Sequence, residues 1–255
     1  MNLEKSNVNE EVDKKPRKEH PHLKSIGRCI VWTLVFVLFN VFGSILGFIR
    51  ELMDPTFFSQ AKSVLDNPVE LEKCVDYGLQ HSVPIASVMM FLFTGAIMII
   101  RREKEWEQNA LGIKTKLNAK EITKYIIMAV TLNIILSFGI NLLPDSWVAS
   151  HAESTSYLAS CNFWALLFTS GVLSPICEEY FFRGLCVLEA PSFCTALITS
   201  SLLFSLSHWN WIQIFYAFVF GVWFSLEDKK KNSILPSIII HIAINSSTII
   251  LSRIL

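Results

Sequence analysis

Apolar runs of about twenty residues recur along this 255-residue chain, near 26 to 49, 81 to 100, 122 to 143, 162 to 182, 192 to 208, 209 to 226 and 234 to 253, with polar stretches between them. A run of that length matches the thickness of a bilayer's hydrocarbon core. The pattern therefore predicts an all-α, polytopic integral membrane helical bundle of about seven (six to eight) transmembrane helices. The stretch before the first run is rich in Lys, Glu and Asn without apolar periodicity, so residues 1–22 are predicted to be a disordered cytoplasmic tail and 23–255 an integral membrane domain. No small-residue cleavage site follows the first run, which makes it an uncleaved anchor.

Composition supports this picture. With 52% hydrophobic and 17% charged residues the chain is too apolar for a soluble domain of this size. The formal net charge is zero and no basic face is visible, so nucleic acid is not an expected partner; the lipid bilayer is. Lys and Arg are unevenly placed. Six precede residue 26, six lie between 101 and 121, and Lys229, Lys230 and Lys231 follow one another, whereas 144–161 has none. By the positive-inside rule the N-terminus is cytoplasmic in a multi-pass protein of the cell membrane.

The six cysteines form no metal-ligand spacing. Cys29, Cys177, Cys186 and Cys194 read as small apolar residues, while Cys74 and Cys161 fall on the predicted outer side, where a disulfide could form. Asn40, Asn133 and Asn141 are expected to hydrogen-bond between helices.

The first three runs carry almost nothing ionisable; the last four hold the candidate chemistry. Ser174-Pro175 reads as a helix start inside the fourth run, with Glu178 and Glu179 following. Glu179 and Arg183 are four apart and share a helical face, so they can neutralise one another. Glu178 is rotated by about 100° and is left over, which makes it the candidate general base. A charged cluster snorkelling to the interface is the plainer alternative. His208 ends the fifth run four residues after Phe204, and His241 and Asn245 stand four apart in the seventh. Polar groups of this strength on three apolar segments must find partners, and they are each other's best ones.

Glu178-Glu179 with Arg183, Phe204 with His208, and His241 with Asn245 are similar, in order and spacing, to the three signature motifs of the CPBP intramembrane proteases (the CAAX protease and bacteriocin-processing, or Abi, family) over about residues 162–250. The resemblance implies a CPBP-type core in that stretch. It implies that Glu178 activates water with His208 assisting, that His241 and Asn245 stabilise the oxyanion, and that Glu179, Arg183 and Phe204 support the site. It also implies a membrane-associated peptide or protein substrate, in peptide or bacteriocin maturation or self-immunity; the short chain and spare loops look bacterial, which points away from a prenylated substrate.

No cofactor follows with certainty. Glu178, His208 and His241 offer one carboxylate and two imidazoles, a donor set that a divalent metal such as zinc could use, yet no His-Glu-x-x-His helix is present; a metal-free site is preferred. Drawn as simple spans, Glu178 and His241 lie nearer the cytoplasmic side and His208 at an outer end, so the turn formed by His208, Trp209, Asn210 and Trp211 must either dip into the membrane or serve as an aromatic belt. The cavity is expected to open to the cytoplasm or the bilayer. A non-catalytic regulator that binds another membrane protein, such as a sensor kinase, is the alternative function. A small proton-coupled transporter is less favoured because no repeat symmetry is visible.

Overall fold

The computed structural model describes residues 20–101, 115–149, 152, 161–208 and 210–254, and within them every regular element is helical. Helices α1 (Pro21–Leu52), α2 (Pro55–Ser63), α3 (Pro68–His81), α4 (Val83–Arg101) and α5 (Ala119–Ile140) form the first half. The second half begins with a continuous but irregular helix: α6 (Phe163–Phe168), π1 (Thr169–Leu173), α7 (Ser174–Glu179) and π2 (Tyr180–Leu188). Then come α8 (Phe193–Leu206), α9 (Trp211–Lys231) and α10 (Leu235–Leu251). This is the predicted helical membrane bundle. Most of the predicted tail, residues 1–19, lies outside the described residues, and α1 already begins at Pro21.

Helices α1, α4 and α5 are, among the described residues, the three long and apolar enough to cross a membrane by length and composition. They bury little of themselves: α1 directs Leu34, Leu38, Val41 and Ile45 outward, as a lipid-facing helix does. Where α1 meets the start of α4, glycine permits the approach. A Cβ on Gly47 would stand 2.6 Å from that of Ser82, and one on Gly43 3.0 Å from the Ala86 Cα. The inner side of α1 covers π2, with Phe36 edge-on to Phe181 and Phe182 at 5.7 and 5.1 Å.

Two expectations change here. The connection 50–80, expected only as a polar stretch between two apolar runs, folds into α2 and α3. Asp54 accepts the Thr56 and Phe57 N–H groups and Asn67 that of Glu70, each just ahead of a proline at the first helical position. Those backbone bonds hold the Asp54 carboxyl below the usual carboxylate range. The second change concerns Ser174, which caps nothing: the helix runs straight through it from π1, with αR backbone on both sides.

Pro175 explains the irregularity. It has no N–H, so a carbonyl one turn earlier must lose its intrahelical partner, and widening to a π-turn relieves the ring clash. The freed carbonyls are met from α10. Asn245 Nδ2 donates to the Ser170 carbonyl at 3.1 Å, and Ser246 Oγ to that of Gly171 at 3.4 Å. Irregular backbone at membrane depth is thereby satisfied by protein.

The cysteines are free, Cys74 buried against the bundle and Cys161 half-buried, so no Cys74–Cys161 disulfide exists in this structure. Of the early asparagines, Asn133 bridges helices, donating from Nδ2 to Ser247 Oγ and Thr248 Oγ1 on α10. Asn40 instead donates to its own helix at Phe36, and Asn141 ends α5.

Candidate active site

Glu179 and Arg183 stand on adjoining turns of α7 and π2, and both are completely buried. Arg183 Nε lies 3.1 Å from Glu179 Oε2, and its Nη1 donates to Oε1 at 3.3 Å. The guanidinium is held between aromatic faces, 4.3 Å from the centre of the Phe204 ring and 5.2 Å from that of Phe224. A delocalised cation between two rings keeps part of its stabilisation when water is removed. These charges are not snorkelling to an interface.

Glu178 points elsewhere. It accepts a hydrogen bond from Ser174 Oγ at 2.8 Å on one oxygen, and its other oxygen is 3.8 Å from His241 Nε2. The opposite ring nitrogen, Nδ1, donates to Glu179 Oε1 at 2.7 Å. His241 is thus strung between the two glutamates, one contact tight and one loose. Phe204 and Phe224 wall the imidazole at 5.8 and 5.4 Å between centroids.

His208 closes the arrangement. It follows the last turn of α8, its Nδ1 bonded to the Phe204 carbonyl at 3.0 Å and its ring edge-on to Phe204 at 5.1 Å. Nε2 is left available on the other side. One cavity of about 240 Å³ is lined by Glu178, His208, His241 and Asn245 together, with Phe204 in its wall. This is many times the ~10–15 Å³ that a water needs. The predicted separation of His208 from Glu178 does not occur, because α8 is short: its 14 residues rise only about 21 Å, so His208 stays at cavity depth. Trp209 lies outside the described residues; Asn210 caps α9 through the Ile212 and Gln213 N–H groups, and Trp211 begins that helix.

All four predicted reactive residues therefore meet, and the three supporting residues form the layer behind them. Three further residues belong here. Ser174 orients Glu178, Phe224 stacks on both Arg183 and His241, and Gly221 makes room for the guanidinium, since a Cβ there would lie 3.1 Å from Arg183 Nη2. Phe224 was hidden in an aromatic-rich run. Ser174 was visible four residues before Glu178, one helical turn away, once that stretch is known to stay helical.

Among the described residues no group of three or more His, Cys, Asp or Glu side chains converges as a metal site would require. Glu178, His208 and His241 share the cavity; Nδ1 of His208 is bonded to the Phe204 carbonyl and Nδ1 of His241 to Glu179, and His241 Nε2 lies 3.8 Å from Glu178. What they offer is a carboxylate beside water-sized space, facing imidazole and amide donors.

The cavity has a direction. Its lining takes Leu136 and Ile140 from the end of α5, Gln213 and Tyr216 from the start of α9, and Thr248 and Ile249 from late in α10. It lies at the end of the bundle opposite Arg101, Lys120 and Lys229 to Lys231. A cytoplasmic mouth and the lysine-derived orientation therefore exclude one another.

No curated protein and no solved structure matches the chain. Residues 160–247, the stretch that holds every one of these site residues, match the family model described as Type II CAAX prenyl endopeptidase Rce1-like, in agreement with the motif resemblance and with a CAAX-protease-type core in a membrane-embedded helical chain.

Proposed function

We propose that this chain is an intramembrane endopeptidase that hydrolyses a peptide bond of a membrane-associated peptide or protein by general-base activation of water on Glu178. The observation that carries this reading is the unequal treatment of the two glutamates. Glu179 is locked against Arg183 and His241 without solvent contact, while Glu178 presents an oxygen to the cavity opposite His208.

The chemistry follows from the geometry. A water between Glu178 and His208 gives a proton to the Glu178 carboxylate as its oxygen attacks the scissile carbonyl carbon. The carbonyl oxygen becomes an oxyanion, for which His241 Nε2–H and the second Asn245 amide N–H are the candidate donors. His241 can donate from Nε2 while Nδ1 donates to Glu179 only when both nitrogens carry protons. Collapse of the tetrahedral species breaks the C–N bond, and the proton held by Glu178 passes to the leaving amine.

The wall residues Leu136, Ile140, Phe220 and Ile244 give the cavity an apolar flank, suited to a substrate segment that is itself in or on the membrane. Peptide maturation or self-immunity in a bacterial membrane fits that substrate class. Purified protein in lipid nanodiscs, supplied with membrane-anchored peptides with and without a prenyl group, tests the reading. Cleavage is expected in wild type and is lost in Glu178→Gln, by about 10²- to 10⁴-fold, with the protein still folded. Activity above about a tenth of wild type would remove Glu178 as the base. No cleavage of any peptide, with a membrane protein recovered by cross-linking, would favour the regulator instead.

A further inference from the structure

The helix that carries His241 and Asn245 does not cap itself. Ile234 precedes α10 and supplies no side-chain acceptor, and the first turn has three positions to satisfy: Leu235, Pro236 and Ser237. Pro236 has no N–H. Leu235 N–H donates to Ser233 Oγ at 3.1 Å. Ser237 N–H donates across the connection to Oδ1 of Asp228, in the last turn of α9, at 2.9 Å. The Asp228 backbone carbonyl also accepts the Ser233 N–H, at 3.1 Å, around the left-handed turn at Asn232.

Asp228, Ser233 and Ser237 are each completely buried. A carboxylate held there without water is costly, and Oδ2 has no hydrogen-bond partner among the described residues. The carboxyl group faces the N-terminal, positive end of the α10 dipole. Asp228 also shares a face of α9 with Gly221 and Phe224, at seven- and four-residue spacings. Those two residues fit the Arg183 guanidinium, and through it Glu179, which fixes His241 Nδ1. Ser237, His241 and Asn245 follow at intervals of four along one face of α10. One face of α9 therefore fixes His241 twice, sideways through Arg183 and Glu179, and along the axis through Asp228.

We propose that Asp228 is a positioning residue for the reaction, setting the axial placement of α10 so that His241 meets Glu179 and faces Glu178. The proposal rests on the protease reading for its kinetic consequence but not for its geometric one. An axial slip of α10 by about an ångström would open the 2.7 Å Nδ1–Oε1 contact and misplace two groups of the site, a displacement that can cost about 10²-fold in rate.

Asp228→Ala removes the acceptor; Asp228→Asn keeps an acceptor oxygen in place on a neutral side chain. Both are made in the full chain in nanodiscs. Two quantities are read: kcat and KM on a cleaved membrane peptide, and the proton NMR resonance of His241 Nδ1–H, assigned through ¹⁵N-histidine labelling and its loss in His241→Ala. Asp228→Ala is expected to lower kcat by about 10- to 100-fold with KM within about twofold, and to move or broaden the His241 resonance; Asp228→Asn is expected to restore both. An unchanged resonance in Asp228→Ala, or an Asp228→Asn as damaged as Asp228→Ala, overturns the proposal. Should Asp228→Ala fail to accumulate, Asp228→Asn alone decides: a kcat loss above about tenfold, or a displaced resonance, is fatal. Wild type that hydrolyses nothing defeats the protease reading, whereas the resonance still reports whether Asp228 places His241.

Discussion

Glu178 and Glu179 have the same side chain and opposite surroundings, which predicts opposite consequences for their loss. Glu179→Ala strands Arg183 as a buried charge between two rings and removes the His241 Nδ1 acceptor. It should cost about 3–5 kcal/mol of stability as well as activity, and Glu179→Ala combined with Arg183→Ala should recover part of the stability but none of the activity. Thermal melting of both variants in nanodiscs checks this; a double variant no more stable than Glu179→Ala would contradict the ion pair. His241 and Asn245 separate in a different way. Asn245 holds the Ser170 carbonyl, so Asn245→Ala should lower turnover by about 10²- to 10³-fold and also loosen the π1 segment, visible as faster amide exchange around Ser170. Elemental analysis of wild type, His241→Ala and Asn245→Ala reads the metal question directly. Stoichiometric zinc that disappears only with His241→Ala would replace the metal-free chemistry; active wild type without metal would sustain it. The motif spacing alone paired Glu179 with Arg183 and singled out Glu178, because i to i+4 geometry is local. It did not tell that His241 lies between the two carboxylates, since that distance closes across 62 residues of chain.

Among the elements, the helix from Phe163 to Leu188 departs most from a simple reading. Ser174-Pro175 resembles a helix start, but the chain meets the missing proline N–H with π-turns and with side chains borrowed from α10, a tertiary solution that no local pattern reveals. The two short helices α2 and α3 were not read as helices, although Asp54-Pro55 and Asn67-Pro68 each place a capping acceptor before a proline. The runs that became α1, α4 and α5 were located within a few residues at each end, because lipid exposure demands uninterrupted apolar length. Their contact, by contrast, depends on glycine. Gly47→Ala puts a methyl group 2.6 Å from Ser82 Cβ and 2.9 Å from its backbone, which cannot move aside as a flexible side chain would. The α1 to α4 junction should lose about 1–3 kcal/mol, seen as a lower melting temperature, with kcat per folded molecule unchanged because Gly47 is remote from the cavity. A fall in kcat at full folding would mean that α1 transmits strain through Phe36 into π2.

At the scale of the whole molecule, the distribution of lysines and the direction of the cavity set a choice. Lys24 near the start of α1, Arg101 at the end of α4, Lys116 and Lys120 at the start of α5 and Lys229 to Lys231 at the end of α9 all belong to one end of the bundle, and the cavity lies toward the other, where α5 finishes and α9 begins. If basic segments stay in the cytoplasm, the cavity faces the outer side, and the substrate is a segment presented from there or from the outer leaflet. If the substrate is presented in the cytoplasm, the lysines stand outside, against the rule that orients most multi-pass proteins. Two exposed positions decide between these: Lys230, at the lysine-rich end, and Ser146, just beyond α5. With the native cysteines replaced by serine, Lys230→Cys and Ser146→Cys are treated in intact cells with a membrane-impermeant maleimide. The positive-inside arrangement requires Ser146→Cys to react at once and Lys230→Cys to react only after permeabilisation. The reverse pattern would place the cavity mouth in the cytoplasm and overturn the lysine-based orientation, and it would restrict the substrate search to peptides that reach the membrane from within the cell.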